Sequence, residues 1–459
     1  MELKPFRNFS GILFNGALAF ISGHKALLME KGGHILLVEQ SICERLQQNV
    51  IPLHLMNVLK ERCFLTDTDA IVCHNETLVK PEFFMIDLTN RCNMRCSYCL
   101  RNVVCGDRSI SDKVLLDICQ YIEHYCDDEA LTHVSIQAWG GEPLLEKKKL
   151  LMLRKKIVPQ KTKVHISIET NATLLKPSVV NELFENHIGI GISIDGMQEV
   201  HDYQRHLISG KGSYGIVVKN LLQAQELYGW RIGTITTITK KNADRIEEIL
   251  EHFAIDLHLT NVKFNFVHKS IYAQGEDLCL DSDKIAETQK RILAKIVKLQ
   301  EQGYSIMEHN ILVKLKNLLF RQYSDICLSC GCCGGRKMVV FDMEGNIYPC
   351  ELTDNYEYNI GSIYDGRELK QILNDAIQEK NVFFEKKDSA DCEQCYWKYF
   401  CQGGCTVRIL SNGKMPPEPD ITECAVNKVL YPELVKLILE KPDIVNRVFG
   451  WDVLETNEE

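Results

Sequence analysis

From residue 83 to about residue 305 the chain alternates between two hydrophobic periods. Short apolar runs, rich in Val, Ile and Phe and bounded by polar or glycine residues, mark strands at Phe83–Leu88, Val134–Ala138, Val164–Ile168, Ile188–Ile194, Arg231–Ile238 and Val262–Val267. Between them, apolar residues recur at helical spacing. Ser111 is placed to cap a helix in which Val114, Ile118 and Ile122 share one face beside Leu115. Similar amphipathic runs cover Leu144–Ile157, Ser178–His187, Ser213–Tyr228, Asp244–Phe253 and Ser282–Gln302. Six strand–helix units in series predict an α/β fold with a parallel sheet and right-handed crossovers. Six fall short of a closed eight-stranded barrel, so the expectation is a partial (β/α)6, TIM-like barrel. Its chemistry should gather at the carboxyl ends of the strands.

The flanking segments break this rhythm. Strand patterns at Ala17–Ile21, Ala26–Met29 and His34–Val38 precede helix patterns at Gln40–Gln48 and Leu53–Arg62, which makes residues 1–80 a small α+β module. From Cys327 to Cys424 glycine and cysteine punctuate the chain, and few periodic runs remain. Such a segment needs metal to hold it together. The expected division is therefore 1–80, a barrel over 81–310, a cysteine-rich domain over 320–430, and a C-terminal tail or helix over 431–459.

Composition narrows the function classes. Across 459 residues the chain is 45% hydrophobic and 25% charged, ordinary values for a chain of two or three globular domains. A formal charge of −9 argues against nucleic-acid binding. Twenty cysteines in a chain of this size point to metal rather than to a disulfide scaffold. Lys4 and Arg7 precede an apolar stretch from Phe9 to Ile21, loosely like a signal peptide, but Asn8, Ser10 and Asn15 interrupt it and no small-residue cleavage site follows. No stretch reaches transmembrane length. A cytoplasmic location, which also keeps thiols reduced, is expected, with no membrane partner.

Directly after the first barrel strand comes Leu88-Thr89-Asn90-Arg91-Cys92-Asn93-Met94-Arg95-Cys96-Ser97-Tyr98-Cys99. The spacing C-x3-C-x2-C puts three thiolates on one loop. Three thiolates hold three irons of a cubane cluster and leave the fourth open to a ligand. A structural zinc site would want four ligands, commonly as two C-x2-C pairs. This motif, with its aromatic residue before the last cysteine, resembles that of the radical S-adenosylmethionine (SAM) superfamily. The resemblance implies that SAM chelates the open iron and is reductively split to a 5′-deoxyadenosyl radical.

Matching motifs follow at later strand ends. Trp139-Gly140-Gly141-Glu142-Pro143 is similar to the family's GGEP. Glu169-Thr170-Asn171-Ala172-Thr173-Leu174-Leu175 is similar to TNGTLL, with Ala172 in place of glycine. Ser193-Ile194-Asp195-Gly196 and His201-Asp202-Tyr203-Gln204-Arg205 resemble SxDG…HDxxR. The resemblance implies that Tyr98, Gly140, Gly141, Glu142, Asn171, Ser193, Asp195 and Arg205 position SAM. Glu142 or nearby carbonyls would accept from its ammonium group, and Arg205 would pair with its carboxylate.

The second cysteine region reads Cys392-x2-Cys395-x5-Cys401-x3-Cys405, then Cys424. Upstream lie Cys332 and Gly345-Asn346-Ile347-Tyr348-Pro349-Cys350. Together these resemble the SPASM extension of radical SAM enzymes that modify peptides and proteins. Position by position, Cys392, Cys395, Cys401 and Cys424 would hold one auxiliary cluster. Cys332, Cys350 and Cys405 would hold the other, with Cys327 or Cys330 as fourth ligand. The crowding of Cys327, Cys330, Cys332 and Cys333 leaves that choice open, and C-x2-C pairs alone would also suit zinc. Three [4Fe–4S] clusters in all are implied. Cys43, Cys63, Cys73, Cys105, Cys119, Cys126 and Cys279 read as core or surface thiols.

Two peptide-modifying subfamilies compete. Anaerobic sulfatase-maturing enzymes place an aspartate base directly after the G-x4-C cysteine, and here that position is Glu351, one methylene longer. Maturases of ribosomally made peptides, such as thioether-forming ones, carry an N-terminal leader-binding module of about the size of residues 1–80. That module adds the leader as a strand to a sheet edge. The expectation is a peptide maturase forming a cysteine-sulfur-to-carbon thioether in a precursor peptide. It would be reduced by a carrier such as flavodoxin or ferredoxin. A non-catalytic multi-cluster electron carrier is the reading from another class, and it has no use for a ribose pocket.

Overall fold

The computed structural model describes residues 2–5, 13–14, 18–30, 32–48, 50–66, 79–99, 106–229, 232–269, 276–321, 327, 331–352, 356–385, 387, 389–393 and 395–449. Its N-terminal strands are β1 (Glu2–Pro5), β2 (Leu13–Phe14), β3 (Leu18–Ser22), β4 (Lys25–Met29), β5 (Ile35–Glu39) and β6 (Leu65–Thr66). The central strands are β7 (Phe83–Thr89), β8 (His133–Gly140), β9 (Lys163–Thr170), β10 (Ile188–Ser193), β11 (Ile232–Ile238), β12 (Asn261–Phe266) and β13 (Met307–Glu308). The C-terminal strands are β14 (Met338–Phe341), β15 (Asn346–Tyr348) and β16 (Gly361–Ser362).

The six expected barrel strands form within a residue or two of their apolar runs. They pair in parallel in chain order, because each connecting helix returns the chain to the amino-terminal end of the sheet. Ser111 caps its helix as expected, accepting from the Val114 amide at 3.1 Å. Alternation along β9 to β11 sends one face to the helices and leaves the other lining the lumen. The helix expected over Asp244–Phe253 is regular only over Ile246–Glu251 and then widens into a π turn, His252–Asp256.

The sheet extends beyond the six strands. Short β13 adds in parallel beside β12, and on the other edge β14 of the cysteine-rich domain pairs in parallel with β7. The order is β13-β12-β11-β10-β9-β8-β7-β14-β15-β16, with the last two antiparallel. The run Met338–Phe341 is apolar throughout because both its faces are covered. Val339 and Phe341 join the main core, and Met338 and Val340 pack with Met85, Tyr348 and Phe383. Helix Ile421–Glu440 crosses the boundary expected at residue 431. It lies along barrel helix Ser282–Glu301, where Lys290 meets Glu433 at 2.6 Å.

The N-terminal sheet has the order β1-β3-β4-β5, with helices Gln40–Gln47 and Met56–Glu61 on one face. Ala26 and Leu28 of β4 pack there with Val38, Leu46, Leu59 and Phe64. Leu27 and Met29, on the other face, belong with Phe20 to the main core, where Phe20 meets the Trp397 ring at 5.9 Å. The β4–β5 turn is seated on the cysteine-rich domain. His34 stands between buried Glu30 and Arg321, and Arg321 stacks on Tyr399 at 4.7 Å. Gly33 has φ of +84°, and a Cβ there would lie 2.3 Å from the Tyr399 ring, so only glycine fits.

Candidate active site and cluster ligands

The loop carrying Cys92, Cys96 and Cys99 leaves the carboxyl end of β7 and is held on both sides by backbone hydrogen bonds. Gly141 N–H donates to Thr89 O at 2.7 Å and Glu142 N–H to Arg91 O at 2.9 Å. On the far side, Arg95 N–H donates to His206 O and Ser97 N–H to Gln204 O, each at 2.9 Å. The two glycines of the GGEP motif make the first contact possible. A Cβ on Gly140, whose φ is +136°, would fall 2.2 Å from Thr89 O, and one on Gly141 2.2 Å from Arg91 O. Close approach to the cysteine loop is therefore what these glycines serve.

Glu142 is buried and turned into the protein. One carboxylate oxygen accepts from Leu144 N–H at 3.1 Å and Thr170 Oγ1–H at 2.7 Å, and the other from Asn171 N–H at 2.8 Å. It ties the end of β8 to the end of β9. Asn171 donates to Asn93 Oδ1 at 2.8 Å and accepts from Thr173 Oγ1–H at 2.7 Å, while Asn93 donates to Thr173 Oγ1 at 2.7 Å. The next residue, Ala172, has φ of +59° and is buried, which explains why glycine is the natural occupant of that motif position.

Tyr98, Asp195 and Arg205 meet in one buried network. Tyr98 O–H donates to Asp195 Oδ2 at 2.8 Å, and the Arg205 guanidinium donates to the Tyr98 oxygen. Gln204 donates to Asp195 Oδ2 at 3.1 Å, and Thr237 N–H donates to Asp195 Oδ1 at 2.9 Å. His201 anchors the underside. Its Nδ1 accepts from Asp195 N–H at 3.2 Å and its Nε2 faces Ser213 Oγ at 2.9 Å, while that hydroxyl donates to Arg205 O at 2.7 Å. Burial, and then the Arg205 charge, lowers the His201 pKa to about 3, so the ring is neutral. Arg205 Nε is buried and finds no partner among the described residues. Ser193 ends β10, half-buried at the same strand end.

The residues fit the expected cofactors. Burial pushes the Cys92 thiol up to about 11 and the Cys96 thiol to about 12, with Arg205 opposing the rise at both. Thiolates are stable at such a site only against a bound cation, and three on one loop match a cubane with an open corner. The unpartnered Arg205 nitrogen leaves a donor at the same place.

In the C-terminal domain the structure gathers Cys327, Cys332, Cys333, Cys350 and Cys405, whose charges act on one another. Cys333, one of the four cysteines among which spacing left the choice open, lies in this group, and Cys330 lies outside the described residues. Cys392, Cys395 and Cys424 form the second group. Cys401 is half-buried beside Glu423 and Lys314. Among the described residues no three cysteine sulfurs lie within 4.8 Å of one another, a spacing wider than the shell of one zinc ion. Of the cysteines read as ordinary thiols, Cys43, Cys119, Cys126 and Cys279 are buried and Cys63 is half-buried, while Cys73 and Cys105 fall outside the described residues.

Glu351 follows Cys350, whose thiol donates to its Oε2 at 3.2 Å. Sequence spacing gave no sign of Glu169 and Lys263, which face the lumen from β9 and β12. Burial raises the Glu169 carboxyl above its ordinary value; Lys263 opposes this and Glu351 adds to it. Strand alternation was the available signal, since a charged residue amid a barrel strand must face the lumen.

Comparison with known families decides the class. The radical SAM superfamily profile matches residues 86–253, and the SPASM iron–sulfur cluster-binding domain matches residues 332–396. The chain is a radical SAM enzyme with a SPASM domain. It is 23% identical over 340 residues to the cysteine-type anaerobic sulfatase-maturating enzyme of Clostridium novyi (strain NT), covering 72% of this chain and 87% of that one. Its fold is similar to that of anSMEcpe with bound AdoMet and Cp18Cys peptide (TM-score 0.66, 21% identity, 78% of this chain and 99% of that chain). It is also similar to Streptococcus suis SuiB bound to precursor peptide SuiA (TM-score 0.56, 15% identity, 92% of this chain and all of that one). The cofactors of this radical SAM–SPASM enzyme are SAM and several [4Fe–4S] clusters. No described helix is long and apolar enough to cross a membrane.

Proposed function

We propose that this radical SAM–SPASM enzyme is a peptide maturase that joins a cysteine sulfur to a carbon of another residue in a ribosomally made precursor. The observation that carries the reading is the N-terminal sheet β1-β3-β4-β5, seated on the SPASM domain through Gly33 and Tyr399. Its β5 edge pairs only with β4 among the described residues, which suits strand addition by an extended leader. The likeness to SuiB with its precursor peptide supports this, because it spans 92% of the chain against 78% for anSMEcpe with its peptide.

Cys92, Cys96 and Cys99 would hold the SAM-binding cluster, with Arg205 Nε beside it as a donor for the SAM carboxylate. Gly140, Gly141, Glu142, Asn171, Tyr98 and Asp195 fix the loop and strand ends around it, and Ser193 would meet the ribose. When bound, the reduced cluster and SAM supply a 5′-deoxyadenosyl radical that takes a hydrogen atom from the peptide. Forming the C–S bond then releases one proton and one electron. Glu351 would take the thiol proton, and clusters held by the two C-terminal cysteine groups would accept the electron. A low-potential carrier such as flavodoxin or ferredoxin would supply the reducing electron.

Sulfatase maturation is the second reading, favoured by the 23% identity to the Clostridium novyi enzyme and by the carboxylate of Glu351 after Cys350. Anaerobic incubation of the reconstituted enzyme with SAM, dithionite and each substrate class separates the two. A thioether product keeps the cysteine sulfur and loses two hydrogen atoms. Oxidation of a sulfatase peptide cysteine to formylglycine loses the sulfur, and that product alone would overturn the cross-linking reading.

A further inference from the structure

Helix Ile421–Glu440 carries a polar stripe within its mainly apolar buried face. Glu423, Asn427 and Tyr431 recur every fourth residue, so they lie one above another, and all three are buried. The turn after Cys401 runs along that stripe. Phe400 meets the Tyr431 ring at 4.9 Å and Trp397 stacks on it at 5.1 Å, while a Cβ on Gly404 would lie 2.9 Å from Glu423 Cβ. Gly404 N–H closes the turn onto Cys401 O at 3.0 Å. Cys401, between Phe400 and Gly404 in the chain, therefore stands opposite the middle of the stripe, at Asn427.

From another side comes Lys314 of helix His309–Phe320, itself buried. Its ammonium donates to Glu423 Oε1 and to Asn427 Oδ1, each at 2.7 Å, and stands 5.5 Å from the centre of the Tyr431 ring. An ammonium has donors only, so the Asn427 amide must turn its oxygen to Lys314 and its NH2 away. That Nδ2 is buried and makes no hydrogen bond among the described residues. Nor does the Tyr431 hydroxyl, which the lean of helical side chains toward the N-terminus carries back over the Asn427 turn. A buried donor without an acceptor is costly, and two on one stripe mark a place where an acceptor belongs. Electrostatics point to the same sulfur. Burial pushes the Cys401 thiol up to about 12 and Glu423 adds to the rise, while Lys314 and the Asn427 side chain oppose it.

We infer that Asn427 and Tyr431 are hydrogen-bond donors to the Cys401 sulfur of the second auxiliary cluster, and that Lys314 is the positioning residue that turns the Asn427 amide toward it. Bonds from N–H and O–H to a ligand sulfur favour the reduced cluster, which carries one more negative charge, and so raise its reduction potential. The stripe makes that cluster the better electron acceptor. This rests on the reading that Cys401 ligates the cluster and that the auxiliary clusters take the electron freed as the C–S bond closes.

The test uses the full chain with Cys92, Cys96 and Cys99 replaced by alanine, reconstituted anaerobically so that only the auxiliary clusters remain. Dithionite titration is followed by electron paramagnetic resonance. Asn427→Leu should lower one midpoint by about 60 mV, equivalent to a tenfold change in a one-electron equilibrium, and leave the other in place. Tyr431→Phe, which removes a single oxygen, should lower the same midpoint at an unchanged iron content and melting temperature. Unshifted midpoints in both variants overturn the proposal, and Tyr431→Phe decides alone if Asn427→Leu loses iron. Cys401→Ala should abolish the shifted signal; its survival would instead overturn the placement of Cys401 as a ligand. No peptide or SAM is present in these titrations, so failure of the cross-linking reading shows separately, in the product.

Discussion

In the barrel, the three cluster cysteines sit on one loop that backbone hydrogen bonds grip from both sides, at Thr89 and Arg91 and at Gln204 and His206. In the C-terminal domain, the equivalent work falls to side-chain charges. Cys401 and Cys405 bracket Gln402, Gly403 and Gly404, three successive residues with positive φ, and Cys405 N–H donates to Asp420 Oδ2 at 3.1 Å. Arg408 holds Asp420 at 2.6 Å and Glu423 at 2.8 Å, and buried Lys314, reaching in from barrel helix His309–Phe320, holds Glu423 at 2.7 Å. One site is therefore set by the sheet before any cofactor binds. The other depends on a buried ionic cluster and on the metal itself, so the two should fail in different ways.

The sharpest break in that comparison is chemical. Replacing Cys92, Cys96 and Cys99 together by alanine should reduce 5′-deoxyadenosine formation to background while the melting curve stays near that of the parent, because the loop is held by backbone bonds. The same exchange at Cys392, Cys395 and Cys424 should instead lower the melting temperature, since metal binding and folding are coupled where regular structure is sparse.

Next in size is Lys314→Met. It removes one of the two cations on buried Glu423 and the donor to Asn427 while Arg408 stays on the other carboxylate oxygen, so the cost should lie at the lower end of the about 3–5 kcal/mol lost when a buried pair is broken. Urea titration should show that loss, concentrated in a C-terminal transition.

Per pH unit, the effect of His201 is smaller. Its pKa falls from 6.5 to about 3 on folding, so between those values the unfolded chain binds the extra proton. Its contribution is complete above pH 6.5 and declines as pH drops toward 3, by about 1.4 kcal/mol per pH unit. In His201→Gln the stability-versus-pH slope across that window should flatten by one proton. Smallest is Ala172→Gly, which relieves a left-handed alanine and should raise barrel stability by up to about 1 kcal/mol, read by the same titration.

Strand and helix positions in the barrel were legible because alternation and helical periodicity report directly on burial. The cysteine motifs were legible because ligand spacing is local. Glu142 and Asp195 were expected at SAM; the structure turns both inward, one tying β8 to β9 and the other joining Tyr98, Gln204 and Arg205. Spacing cannot show which way a carboxylate turns. The parallel pairing of β14 with β7 was hidden for a related reason, since Met338–Phe341 is a short apolar run without a helix to announce it.

By itself, then, the sequence determined the six-unit barrel, the open-cornered cysteine loop and the existence of a metal-dependent C-terminal region, all of which are short-range patterns. Only the tertiary structure decided that Lys314 reaches Glu423, that Tyr98 joins Asp195 and Arg205, and that β14 pairs with β7. Those pairs are separated by whole elements of chain, and their distances follow from strand register and helix docking, which no local spacing encodes.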